Sequence, residues 1–169
     1  LVTTGTVTSA QLMAQRLPVD TAIHQYYPLD HPDWVETFLD HWRPDLVLWM
    51  ESELWPNMLS GIKERNIPAA LINARLSEKS FGRWRKISND IEDLLAAFKV
   101  ILAQSDQDTE KFNTLGATNV KTIDNLKYAA EKLPHDKKKL DELKKAIGER
   151  PVWLYASTHE GEETMACRL

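Results

Sequence analysis

The sequence predicts an α/β fold built on a parallel sheet, and three observations carry that prediction. Short apolar runs alternate with longer amphipathic runs from Thr3 to Ile123, the pattern of strand–helix–strand units. The run Leu46-Val-Leu-Trp-Met50 has no polar alternation, as in a parallel strand buried on both faces. Pro18, Pro44 and Gly116 stand where helical periodicity stops, as terminators should.

Taken in order, Leu1–Thr3 reads as a strand. Ser9–Leu17 reads as a helix with Leu12, Met13 and Leu17 on one face. Thr21–Gln25 is a second strand. Pro32–Trp42 is a helix, since Val35, Phe38, Leu39 and Trp42 fall at core spacing. Asp45–Met50 is the strongest strand. Pro56 suits the first turn of a helix reaching Arg65. Ile67–Asn73 is the next strand, followed by polar loop residues and a helix near Ser88–Ala97. Val100–Ala103 is a strand, Asp106–Leu115 a helix and Val120–Ile123 a strand. The expected result is one parallel sheet with helices on both faces. Composition then shifts. Residues 131–150 read as a linker and a helix, with Leu140, Leu143 and Ile147 on one stripe and lysines on the other. Val152–Ala156 reads as a new buried strand and Glu160 onward as a new helix, so residues 151–169 are expected to open a second domain after a first one at 1–130.

Composition excludes several function classes. The chain has 169 residues, 21 Lys and Arg against 25 Asp and Glu, and a net charge of −4, which argues against general nucleic-acid binding. The longest apolar region, Leu94–Ala103, is interrupted by Lys99 and is about half of the ~20 residues a membrane span needs. The single cysteine, Cys167, has no partner within the chain for a disulfide. No metal-ligand spacing links His24, His31, His41, His135, His159 and Cys167. No G-x-G-x-x-G, Walker or G-x-S-x-G pattern is present. The opening on Leu1 and the uncapped helical pattern at 165–169 read as a piece of a longer protein.

In open parallel sheets, ligands bind beyond the carboxyl ends of the strands. Polar residues follow each strand: Thr4, Thr6, Thr8 and Ser9; then Glu51, Ser52, Glu53 and Asn57; then Arg75, Ser77 and Ser80; then Gln104 and Ser105; then Asn125 and Lys127; then Ser157, Thr158, His159 and Glu160. Glu51 and Glu53 close a buried strand just before a helix. That place suits acid–base chemistry, and it equally suits carboxylates at a helix N-terminus. Ser157–Glu163 opens a helix whose free N–H groups suit a phosphate, and it equally reads as a capping box of Ser157 with Glu160.

Eight segments, in order, resemble the bacterial 3-deoxy-D-manno-octulosonic acid (Kdo) transferases. They are T-T-G-T-V-T-S-A at Thr3–Ala10, Y-Y-P-L-D at Tyr26–Asp30, R-P-D-L-V-L-W-M-E-S-E-L-W-P-N at Arg43–Asn57 and I-N-A-R-L-S at Ile72–Ser77. They continue with A-Q-S at Ala103–Ser105, L-G-A at Leu115–Ala117, N-L-K-Y at Asn125–Tyr128 and S-T-H-E-G-E-E at Ser157–Glu163. E-x-E-L-W-P-N and S-T-H-E-G-E-E are specific; L-G-A alone is not.

The resemblance implies a GT-B glycosyltransferase, with two Rossmann-like domains facing a cleft. Its donor would be CMP-Kdo and its acceptor lipid IVA, in lipopolysaccharide core biosynthesis. Transfer would invert the anomeric centre, without a metal or other cofactor. The parent would be anchored at the cytoplasmic face of the bacterial inner membrane. Residues 1–130 would then be most of the acceptor-side domain and 151–169 the start of the nucleotide-binding domain. The family's base, a glutamate in a Gly-Glu loop, would lie upstream of Leu1, so the chain alone is expected to be inactive. Glu53 matches the second glutamate of the E-L-W-P-N motif and is assigned acceptor-side or base-supporting work, with Glu51 second. Thr4, Thr6, Asn57, Arg75, Ser77, Gln104, Asn125 and Lys127 are the substrate-binding candidates, Arg75 and Lys127 for anions. Ser157, Thr158, His159 and Glu160 are the nucleotide-side candidates. The family usually has glycine before N-L-K, where this chain has Asp124. Two rivals remain open at this point: a sugar-nucleotide epimerase sharing the architecture, and a non-enzymatic flavodoxin-like binding module.

Overall fold

Parallel pairing organises the first part of the chain. In the computed structural model, which describes residues 1–130 and 134–166, β1 (Val2–Thr4) pairs in parallel with β2 (His24–Tyr26). A four-stranded parallel sheet has the order β3 (Val47–Met50), β4 (Ala69–Ala74), β5 (Val100–Ala103), β6 (Val120–Thr122). Val47 lies opposite Ala69, and Ile101 opposite both Leu71 and Val120; the register slips between Leu71 and Ala74. The chain divides into two units, Leu1–Ala130 and Glu131–Leu169.

The helices begin where the sequence supplies caps. α1 (Val7–Arg16) starts on Thr6, whose hydroxyl accepts the Ser9 N–H at 3.1 Å. α2 (Pro32–Trp42) and α3 (Pro56–Glu64) each begin on a proline, whose missing N–H costs nothing there. α4 (Glu78–Trp84) is capped by Ser77 and α6 (Asp106–Thr114) by Ser105. A 3-10 turn over Arg85–Ile87 links α4 to α5 (Ser88–Leu95), so the polar loop expected there is largely helical.

The core lies on one face of the four-stranded sheet. Ala69, Leu71 and Ile101 point into it from the strands. Val35 and Leu39 of α2, Leu59 and Ile62 of α3, Ile91 and Leu95 of α5, and Phe112 of α6 meet them there. Gly61 lets α2 and α3 approach closely, because a Cβ there would stand 2.9 Å from Leu39 Cδ1. Residues of opposite parity are less covered: Leu48 and Met50 are 60% and 51% exposed, and Ile72 and Leu102 are half-buried.

Three expectations are corrected. The strands form two sheets rather than one, because β1 and β3 do not pair. Helices bury one face of the larger sheet, not both, while α1 sits beside β2. In the second unit, α7 (Lys137–Ile147) is capped by Asp136 and ends at Gly148, and α8 is short (Glu162–Ala166). Residues 152–156 form no strand. A strand requires a hydrogen-bonding neighbour, and none is offered among the described residues of that unit; Trp153 and Leu154 are exposed. The first residues of the expected linker, 131–133, and the end of the expected second domain, 167–169 with Cys167, lie outside the described residues. Among the described residues, no helix is long and apolar enough to cross a membrane.

Candidate active-site rim

The carboxyl ends of β3, β4, β5 and β6 bring the candidates of the first unit together. β3 ends at Glu51, whose φ of +61° turns the chain out of the strand while its N–H still donates to Ile72 O at 2.9 Å. Arg75 follows β4 and donates to Glu51 Oε2 from Nη2 at 2.8 Å and from Nε at 3.3 Å. The pair is partly solvated, with the Glu51 side chain 35% exposed, so it orients the two groups more than it stabilises the fold. Glu53 is exposed, and its carbonyl accepts the Trp49 indole N–H. The two glutamates therefore differ. Glu51 is engaged by a cation, and Glu53 presents its carboxylate to solvent.

An amide network ties the rim together. Asn73 is buried, with a φ of +55°. Its carbonyl accepts Gln104 Nε2 at 2.8 Å and its side-chain oxygen accepts the Leu126 N–H at 3.1 Å. Asn125 Nδ2 donates to Gln104 Oε1 at 3.0 Å, and Asn125 Oδ1 accepts the Lys127 N–H at 3.0 Å. Gln104 and Asn125 thus hold the loop that carries the exposed Lys127. Asp124 adopts a φ of +63°, so the left-handed turn that glycine would allow is made by aspartate, which tolerates that region better than most residues.

Other candidates are committed to local structure. Asn57 turns its Nδ2 to Asp30 O at 2.7 Å, while the Asp30 carboxylate accepts the Asn57 and Met58 N–H groups at 3.1 and 2.8 Å. Thr4 Oγ1 lies 2.8 Å from His24 Nε2. Thr6 and Ser77 are helix caps. The loop holding Ser77 is fixed from α6, where Asp108 accepts the Leu76 N–H at 2.9 Å and Lys111 donates to Leu76 O at 2.8 Å. In the second unit, Ser157 has a φ of +59°. Thr158 donates to Glu163, and the Glu162 carboxylate accepts the His159 N–H at 3.0 Å. The capping interaction therefore uses His159 and Glu162 rather than Ser157 and Glu160. The Thr158 hydroxyl, with backbone N–H groups, lowers the Glu163 pKa.

Sequence reading gave no role to Asp30, Asn73, Asp108 or Lys111. A signal existed for two of them. Asp30 ends Y-Y-P-L-D and Asn73 lies within I-N-A-R-L-S, both motifs that carry the family resemblance. Among the described residues, no group of three or more His, Cys, Asp or Glu side chains could hold a metal ion. The rim offers a free carboxylate, a carboxylate–guanidinium pair and a lysine. That set can accept a proton and hold anionic groups.

Comparison with known proteins places this architecture. A family model described as 3-deoxy-D-manno-octulosonic-acid transferase (kdotransferase) matches residues 1–130. A 3-deoxy-D-manno-octulosonic acid transferase of Rickettsia bellii is 38% identical over 164 residues, covering 96% of this chain and 38% of the relative. One of Haemophilus influenzae is 35% identical, covering 85% of the chain and 34% of the relative. A probable mitochondrial 3-deoxy-D-manno-octulosonic acid transferase of Arabidopsis thaliana is 35% identical, covering 96% and 38%. The chain thus spans little more than a third of the length of these relatives. With motif order, parallel α/β fold and family model in agreement, the chain belongs to the 3-deoxy-D-manno-octulosonic acid transferase family.

Proposed function

We propose that the whole protein carrying this chain is a glycosyltransferase that moves Kdo from CMP-Kdo to lipid IVA with inversion, and that residues 1–130 supply its acceptor side. The observation that carries this reading is the exposed rim at the ends of β3 and β4, where Glu53 faces solvent and Glu51 is held by Arg75. In this reading Glu53 works on the acceptor side, supporting removal of the hydroxyl proton. Arg75 and Lys127 meet anionic groups of the substrates, with Glu51 setting where the Arg75 guanidinium points. Thr4, Thr6 and Ser77 border the acceptor, while Asn57, Gln104 and Asn125 contribute by holding the loops. Ser157, Thr158, His159 and Glu160 belong to the donor nucleotide's side, in a domain that continues beyond this chain. The setting is the cytoplasmic face of the inner membrane, where the lipid acceptor is reached. The chain by itself does not turn over, because the proton-accepting glutamate and most of the donor site belong to other parts of the protein.

The test uses the purified whole protein, CMP-Kdo and lipid IVA, with product followed by mass spectrometry. Glu53→Gln should lower turnover about 10²–10⁴-fold, the scale of assisted proton transfer, with an unchanged urea midpoint. Wild-type turnover in a folded variant would leave Glu53 with no role beyond the helix end.

A further inference from the structure

Glu53 lies in neither a helix nor a strand, yet its backbone is held on both sides. Leu54, the next residue, is buried in the core. From the other side, the indole N–H of Trp49 donates to the Glu53 carbonyl oxygen. Trp49 belongs to β3 and packs with Val47 against the core, so this bond ties the loop back onto the strand it leaves. The turn in between opens on Glu51 at a φ of +61°, which local sterics do not favour for a glutamate. Arg75 holds the start of that turn through the Glu51 carboxylate, and Trp49 holds its end.

The indole is itself held. Trp55 packs edge-on against Trp49, with ring centroids 5.7 Å apart, and Tyr27 packs edge-on against Trp55 at 4.2 Å. A Cβ on Gly5 would collide with the Tyr27 hydroxyl, so the glycine of T-T-G-T makes the room in which Tyr27 sits. Edge-to-face pairs fix ring planes as well as burying area. The indole N–H can only donate, and its direction toward Glu53 O is therefore set by its neighbours. A hydrocarbon ring would fill the same half-buried place beside the core. Packing accounts for an aromatic residue at position 49, but not for where its N–H is aimed.

We propose that Trp49 is a positioning residue for the transfer, a role that rests on the acceptor-side work assigned to Glu53. Through its N–H it fixes the Glu53 backbone, and so the point from which the Glu53 carboxylate works. Help with proton removal needs that carboxylate within hydrogen-bond reach of the hydroxyl it serves. A misplacement of about 1 Å can cost about 10²-fold in rate. Trp55 and Tyr27 keep the indole plane, and Trp49 makes the contact.

Two substitutions separate aim from packing. Trp49→Phe keeps a ring against the core and loses the donor. Trp49→His gives up the benzo ring, but its Nε2 is as many bonds from Cα as the indole Nε1, so at about pH 8 the neutral imidazole can return an N–H to Glu53 O. In the whole protein with CMP-Kdo and lipid IVA, Trp49→Phe should lower kcat about 10–10²-fold with KM for CMP-Kdo unchanged. Trp49→His should turn over at least about fivefold faster than Trp49→Phe, although its urea midpoint is the lower of the two. In a Glu53→Gln background, Trp49→Phe should cost less than about twofold. Turnover that follows the urea midpoints, or an equal loss from Trp49→Phe with and without the Glu53 carboxylate, would overturn the proposal while leaving the role of Glu53 standing. Wild-type turnover in Glu53→Gln alone would remove the role of Glu53, and this one with it. A further readout needs neither activity nor variants. In the unmodified whole protein, the Trp49 indole N–H should exchange with solvent at least about 10²-fold more slowly than that of Trp34, which is 52% exposed; equal rates would overturn the proposal.

Discussion

Replacing Asp30 by alanine tests how the E-L-W-P-N segment is held. The half-buried Asp30 carboxylate accepts the Asn57 and Met58 N–H groups at 3.1 and 2.8 Å, two of the donors left open at the start of α3. Trp55, at the N-cap position of α3, makes no capping bond of its own. Loss of a cap typically costs ~1 kcal/mol and up to ~2. The carboxylate's interaction with the helix N-terminus adds about 0.3–1 kcal/mol. The expected loss is about 2–3 kcal/mol, which for a chain of this size lowers Tm by about 6–9 °C. Asp30→Asn keeps one acceptor oxygen and should cost about 1 kcal/mol. Urea denaturation should show a lower midpoint with the same slope. A loss below about 0.5 kcal/mol would refute the reasoning. Asp30 would then be a loop residue that happens to lie against α3.

Two further outcomes follow from the rim and from the second unit. Asn73→Ala should lose about 2–4 kcal/mol in urea denaturation, since the Leu126 N–H loses its acceptor and alanine is forced to a positive φ; Asn73→Gly, free of the second penalty, should lose about half as much. Glu163 should titrate by NMR below the ordinary glutamate range, and Thr158→Val should raise its midpoint, because the Thr158 hydroxyl is the main cause of the lowering. A depressed folded-state pKa means that this local stabilisation is present above the ordinary glutamate pKa and fades as pH falls through the lowered one, so amide exchange in residues 158–163 should quicken only in acid.

The helix over Glu78–Trp84 and the caps at Thr6, Ser77 and Ser105 came only with the structure; the sequence alone determined the order of the strands and of the other helices in the first unit, and the family. Those features are local. Periodicity and helix-ending prolines act over a few residues, and the motifs are contiguous. The sequence also collected Glu51, Arg75, Gln104, Asn125 and Lys127 as strand-end residues, because a parallel sheet places its carboxyl ends on one rim. Only the tertiary structure decided which of them touch. The Glu51–Arg75 pair spans 24 positions and the Asn73–Leu126 bond spans 53, and no local pattern encodes which strand lies beside which. The same reason explains the misreadings. Val152–Ala156 has the composition of a strand, but a strand exists only through a neighbour. Leu46–Met50 reads as a strand buried on both faces, but the helices cover one face and leave Leu48 and Met50 exposed on the other.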